Sequence, residues 1–462
     1  MLRNKTAYLL LTLIVILFMA LGTLYAIYTP PWQAPDEPAH YNYIAQINQS
    51  GCCPIIEPGD WNSPYLEDLK ANQFPEDANL TSIEYEDHQP PLYYLLASVV
   101  YNLFDGSLLA LRLLSVILGV GVIVAAYFAA ARLVPRRPLF ALPVAAFVAF
   151  LPQHVAMLSS VNNDGLAELV FGMLVVVALG YLGNPTGPDH KGVEQPLSEA
   201  SRPLASALGG LAGLAFLTKL TLYVPAVLVV AAAILGRWRI ERQSWRWLAI
   251  QVAWGAGLSL GLGAIWWGRN LFVYGWPDVM AQAAHNRVVV GQLRTVDALA
   301  ARGTAGYLRD FLTTTYHSFW GQFGWMAVPM PPRVYQLIGL FLIAVVAGWG
   351  LILVAYRDRL KVSAPRRAAI WVLLAALLAT LFNYFYYNLT FVQFQGRYLF
   401  TSLIPLGVLL AAGLWGWVLL LGRRFHAETF RRWLVWLPLA GTLWLALLSL
   451  YALFRFVVPN LG

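Results

Sequence analysis

Apolar stretches of about twenty residues recur from one end of this 462-residue chain to the other. In hydrocarbon, backbone N–H and C=O groups must satisfy one another, so such segments are either helices or strands of a closed barrel. Barrel strands are about ten residues long and alternate in polarity. These stretches are longer and apolar throughout, and the fold class expected is an all-α polytopic membrane protein. Charged residues make up only 12% of the chain, about half of the ~25% usual in soluble domains.

Candidate spans fall near residues 7–28, 107–132, 138–158, 165–183, 204–218, 220–236, 247–267, 334–356, 368–388, 399–421 and 433–455, which makes 11. The first follows Arg3 and Lys5. It is too long for a signal-peptide core and lacks a small-residue cleavage site, so it reads as a retained anchor with its N-terminus in the cytoplasm. Eleven crossings then put the C-terminus outside. Of the 31 Lys and Arg, 20 lie on the side this makes cytoplasmic, among them Arg136, Arg137, Lys191, Arg357, Arg359 and Lys361. That is the positive-inside pattern, and it accounts for the net charge of +8 without a nucleic-acid partner.

Pro90–Phe104 is apolar but only 15 residues long. As a helix it reaches about 22 Å, short of the ~30 Å hydrocarbon core, so it is expected flat on the outer surface. Pro38–Ser50, closed by Gly51, reads as a second interfacial helix with Tyr41, Ile44 and Ile47 on one side. The whole chain, 1–462, is expected to form one transmembrane domain with two long outer segments, 29–106 and 268–333. The longest inner connector is Asn184–Pro203. Elaborated loops usually carry function, so the chemistry is expected outside.

Seven stretches could carry that chemistry. Pro35-Asp36-Glu37 follows the first span directly. Acids at that depth are costly to keep without a role. At the start of a helix from Pro38 they would face its N-terminal N–H groups, which favour an ionised carboxylate. His40 sits one turn on, and serves equally well as a partner of Asp36 or as a histidine bonded to a loop carbonyl. Glu84–Tyr94 leads a charged cluster, with His88, into a proline-started apolar helix. Asp164 stands at a tight turn, where an Asx turn or helix cap explains it as well as a function does; Glu168 lies one turn deeper. Lys219, Arg269 and Arg397 all fall on the outer side, where cations are disfavoured. A phosphate headgroup would explain them, as would ion pairs with nearby acids. Ser318–Met326, with Trp320, is denser in aromatics than an interfacial belt requires, and could stack on a sugar or simply anchor. The two cysteines, Cys52 and Cys53, are adjacent and fit a disulfide or two thiols, but no zinc or iron–sulfur spacing.

In order and placement these motifs resemble the GT-C superfamily of integral-membrane glycosyltransferases, which includes protein O-mannosyltransferases and the aminoarabinose transferase that modifies lipid A. The resemblance rests on Pro35-Asp36-Glu37, the His88–Tyr94 segment, Asp164, Leu217-Thr218-Lys219, Trp266/Trp267–Asn270, Ser318–Trp325 and Gln395-Gly396-Arg397-Tyr398, and covers most of the chain. It implies a polyprenyl-phosphate-linked sugar donor and an extracytoplasmic glycan, lipid or protein acceptor. It further implies an inverting transfer with Asp36 as general base and Glu37 beside it. Lys219, Arg269 and Arg397 would hold the lipid phosphate, and His40, His88, Asp164, Trp320 and Tyr398 would contact sugar or acceptor. A divalent cation, Mg or Mn, on Asp36 and Asp164 is an option that varies within the superfamily; no cofactor is otherwise implied. The setting implied is a bacterial plasma membrane. A lipid or ion transporter, or a non-catalytic glycan-assembly protein, are the alternatives. Transporters place coupling groups near the membrane midplane, whereas these groups cluster at one face.

Overall fold

The computed structural model describes residues 2–183, 197–356, 362–425 and 427–461. The expected connector lies outside the described residues from 184 to 196, with Lys191, as do Arg357, Arg359 and Lys361. In chain order the helices are α1 (Leu2–Tyr28), α2 (Glu37–Ser50), α3 (Ser63–Ala71), α4 (Leu92–Leu103), α5 (Leu108–Leu133), α6 (Ala141–Phe150), α7 (Pro152–Met157), α8 (Asp164–Tyr181), α9 (Leu197–Phe216) and α10 (Tyr223–Glu241). There follow α11 (Trp245–Tyr274), α12 (Gln282–Val288), α13 (Thr295–Trp320, bent at Gly303), α14 (Pro332–Tyr356), α15 (Ala364–Asn388), α16 (Leu403–Arg424), α17 (Glu428–Leu434), α18 (Leu437–Ala452) and α19 (Val458–Leu461). The only strands among the described residues are β1 (Gln322–Phe323) and β2 (Val328–Pro329), a small antiparallel hairpin.

The all-α polytopic membrane fold expected from the sequence is the fold observed, with one correction of number. Nine helices among the described residues are long and apolar enough to cross a membrane, not eleven. The two that fall short are 138–158 and 204–218. The first breaks at Leu151, whose backbone is extended (φ −64°, ψ 117°), because Pro152 disfavours a helical residue before it. That leaves α6 and the one-and-a-half-turn α7. The apolar part of α9, Pro203–Phe216, is only about 21 Å long before the turn at Thr218-Lys219 ends it. Neither is a surface element. α6 is buried along its whole length among α1, α5, α16 and α18, and its small side chains suit such close approach. α11 runs seven residues beyond the expected end at residue 267, to Tyr274, so the second long segment starts later than expected.

The two short helices α2 and α4 form where expected and pack on one another. Tyr43 of α2 stacks on Tyr94 of α4, with ring centroids 3.7 Å apart. The long segments after α1 and after α11 share a small core of their own, built from Ile56, Leu66, Leu69, Phe74, Ile83, Ala284 and Val289, with Trp32, Trp61 and Trp325 packed against it. This core reaches α2 through Ala39 and the end of α11 through Tyr274. The amide of Leu92 donates to the carbonyl of Leu217 (2.9 Å), tying α4 to the Lys219 turn.

Candidate active site

A cavity of about 230 Å³ lies where these segments meet the bundle. Asp36, His40, Glu86, His88, Gln89, Asp164, Glu168, Lys219, Gln282, His285, Asn383, Tyr384, Tyr387, Arg397 and Tyr398 line it. Seven of the residues singled out from the sequence as site candidates therefore converge: Asp36, His40, His88, Asp164, Lys219, Arg397 and Tyr398.

Asp36 stands just before α2 with a left-handed backbone (φ 66°), a conformation Asp tolerates better than most residues. Its carboxylate does not cap the helix, as the sequence suggested. It turns into the cavity, where Oδ1 accepts from the Tyr85 hydroxyl (2.7 Å) and Oδ2 from Nη2 of Arg397 (2.5 Å). Burial alone would raise its pKa. The charges of Arg397 and His40, with the Arg397 and Tyr85 hydrogen bonds, outweigh that and hold it down to about 2. Asp164 caps nothing either; it pairs with Lys219. His40 Nδ1 meets the Tyr94 hydroxyl at 2.8 Å. Burial lowers its pKa to about 4 against the pull of Asp36, so it is neutral at pH 7.

The other rim is polar but carries no fixed cation. His88 presents Nδ1–H to the carbonyl of Tyr85 (3.1 Å) and lies 4.1 Å, ring to ring, from His285. Burial and His285 keep His88 well below its usual range. Burial and the charge of Asp36 push Glu86 up to about 7. Behind it, burial pushes Asp87 up to about 8 although Gln46 donates to it (2.8 Å).

Three candidates fall elsewhere. Glu37 is fully buried (0% exposed) and lies outside the cavity that Asp36 lines. It binds Arg112 of α5 through two parallel bonds, Nε–Oε1 (2.8 Å) and Nη2–Oε2 (2.6 Å), and also accepts from the amides of Trp32 and Val161. These contacts tie α2 to α5 and to the backbone at Trp32 and Val161, outside the cavity. Arg269 is likewise outside the cavity. Its Nη2 donates to the carbonyls of Cys53 and Pro54 (2.8 and 2.5 Å), and its guanidinium lies over Trp266. It braces the loop at Cys52-Cys53, which are joined as a disulfide. Trp320, 3% exposed, packs on Phe147 and Phe319 inside the bundle and offers no sugar platform.

The Ser318–Trp325 and Gln395–Tyr398 stretches prove to be one packed unit. The amide of Gly396 donates to Ser318 Oγ (2.7 Å), and any Cβ at 396 would press on the backbone of Phe319 inside van der Waals contact. That seat fixes where Arg397 begins. As for a divalent cation, no three His, Cys, Asp or Glu among the described residues come together with ligand spacing. Asp36 and Asp164 each already face a cation, so the residues present do not fit such an ion.

His285, Tyr384 and Tyr387 were not singled out from the sequence, and nothing local distinguishes them; Tyr85 and Glu86 lie in the Glu84–Tyr94 stretch, where neither was given a role in the site. Arg112 was legible: a lone arginine inside an apolar span needs an anionic partner. So was Glu168. It bonds Nε2 of His154 at 2.7 Å, while His154 Nδ1 faces the carbonyl of Val148 at 2.6 Å.

A family described as predicted membrane protein (DUF2142) matches residues 50–406, well over half of the chain. The chain belongs to the DUF2142 family. The match takes in Glu86, Asp164, Lys219 and Arg397, while Asp36 lies just before it. No curated protein matches this DUF2142 chain by sequence. Among solved structures, it superposes on ArnT from Cupriavidus metallidurans in the apo state with a TM-score of 0.51 at 16% identity, over 99% of this chain and 74% of that one. ArnT bound to undecaprenyl phosphate gives 0.50 with the same identity and coverage. An oligosaccharyltransferase from Archaeoglobus fulgidus, in complex with zinc and sulfate, is more distant, at 0.47 and 15% identity over 94% and 52%. The fold is thus shared with ArnT.

Proposed function

We propose that this protein is an integral-membrane glycosyltransferase that moves a sugar from a polyprenyl-phosphate-linked donor to an extracytoplasmic acceptor. One observation carries the reading: two carboxylates and two cations from four distant segments, Asp36, Asp164, Lys219 and Arg397, meet in one cavity at the ends of the helices. The fold shared with ArnT, one structure of which holds undecaprenyl phosphate, agrees with it. A transporter would set such groups near mid-bundle.

In this reading the acceptor hydroxyl attacks C1 of the sugar from the face opposite the phosphate, and its proton passes to Asp36. The C1–O bond breaks with inversion, and the electron pair leaves on the polyprenyl phosphate. Lys219 and Arg397 would lie against the leaving phosphate and stabilise the charge that develops there. His40 and Tyr398 border the acceptor, and His88 and Glu86 offer hydrogen bonds to sugar hydroxyls. The cavity opens on the outer side of a bacterial plasma membrane, with the N-terminus in the cytoplasm.

The test is transfer from undecaprenyl-phosphate sugars by the purified protein, read by mass spectrometry of products. Asp36→Asn should lower the rate about 10²–10⁴-fold, the usual worth of a general base. Full activity in that variant, or no transfer from any lipid-linked sugar, refutes the reading.

A further inference from the structure

Both oxygens of the candidate base are occupied. Tyr85 donates to one and Arg397 to the other, and a carboxylate held this way is a poor proton acceptor for a hydroxyl. Arg397, in contrast, has donors to spare, although it also meets Tyr398, over whose ring it lies at 5.4 Å. Its side chain is 9% exposed, it gives Asp36 a single N–H, and its Nε is buried with no acceptor. A guanidinium carries five donors in a fork that matches phosphate in a two-point contact. Its backbone is seated against α13 through Gly396 and Ser318, so a change of partner is a side-chain movement only. Lys219, the second cation of the cavity, is also held by a carboxylate, Asp164.

We propose that Arg397 is exchanged between two anions, clamping Asp36 when no donor is present and moving to the donor phosphate when it binds, so that the base is released only by the donor. This rests on the glycosyltransferase reading and adds an order to it: the lipid-linked donor binds first, and the acceptor becomes reactive second. The physical cause is competition for one cation. The two ion pairs of the cavity are neutral as they stand. A phosphate brings in negative charge, draws the guanidinium to a two-point contact, and leaves Asp36 with Tyr85 alone beside a new anion. Each of those changes makes Asp36 more basic. Without donor the base stays quenched.

The proposal predicts an affinity that rises when the base is removed. Binding of undecaprenyl phosphate to the full-length protein in detergent is measured for the wild type, Asp36→Asn, Arg397→Gln, the double variant and Glu86→Gln. With Asp36 no longer competing, Asp36→Asn should bind about tenfold tighter or more, the factor given by ~1.4 kcal/mol. Arg397→Gln should bind more weakly, and adding Asp36→Asn to it should change nothing. Glu86→Gln, which removes a cavity carboxyl that does not hold Arg397, should tighten binding less than Asp36→Asn does. Should Arg397→Gln not fold, Arg397→Lys takes its place, and the gain from Asp36→Asn should shrink in that background. The exchange is overturned if Asp36→Asn binds like the wild type, or if its gain persists undiminished without Arg397, since that would be general charge repulsion. Either result alongside measurable sugar transfer overturns the exchange alone and leaves the glycosyltransferase reading intact.

Discussion

Removing the Glu37–Arg112 pair should not be repaired by replacing it with well-packed hydrophobic residues. Glu37 and Arg112 are 0% and 3% exposed. Breaking a buried pair from one side leaves an uncompensated charge and costs about 3–5 kcal/mol. Swapping both partners for apolar residues is often neutral, because the desolvation cost disappears with the charges. Here the pair also satisfies backbone. Arg112 donates to the carbonyls of Ala26, Thr29 and Pro30, closing the C-terminal end of α1, and Glu37 accepts from the amides of Trp32 and Val161. A Glu37→Leu/Arg112→Leu variant strands all of these, and each buried orphan costs about 1–3 kcal/mol. The double variant should therefore be no more stable than Glu37→Ala. Unfolding entropy for a chain this long is on the order of 1 kcal/mol/K, so both should lose roughly 3–5 °C or more in a thermal unfolding midpoint measured in detergent. A double variant that melts with the wild type would refute the argument that this pair is a backbone anchor.

Gly396→Ala should lower both stability and transfer rate, because the new methyl meets the backbone of Phe319 and displaces Arg397; a variant with wild-type kcat and thermal midpoint would show that the seat is not needed. Arg269→Ala should lower the thermal midpoint while leaving donor KM within about twofold, since its partners are loop carbonyls; a large rise in KM would return it to the phosphate site. Asp87 is an acid whose pKa is raised on folding, from an ordinary carboxyl value to about 8, mainly by burial. Its contribution to stability is thus complete below about pH 4 and is lost as pH rises through 8. The wild type should lose stability relative to Asp87→Asn across that window, and parallel pH–stability curves for the two would contradict the assignment.

Much of the fold was legible in the sequence, because the signals that set it are local. A span needs about twenty apolar residues in a row, whatever lies elsewhere in the chain. Pro152 and the Thr218-Lys219 turn were just as visible, but reading them as interruptions required knowing that α6 is enclosed by other helices rather than by lipid. In the site, Asp36, Asp164, Lys219 and Arg397 stood out because each is an ionisable group beside an apolar stretch. Glu37 and Arg269 stood out for the same reason, and Trp320 for its aromatic neighbours, yet all three take partners outside the cavity. What the local sequence does not carry is the direction in which each side chain points.

What the chain determines by itself is which residues must be helical in a membrane and which charges must find a partner there, since both follow from the cost of bare polar groups in hydrocarbon. Which partner each charge finds was decided by the tertiary structure alone. Asp164 meets a lysine 55 positions away, Glu37 an arginine 75 away and Asp36 an arginine 361 away. Those distances in sequence carry no information about distance in space. The rotation of each helix about its axis does, and that is set by packing across the whole bundle.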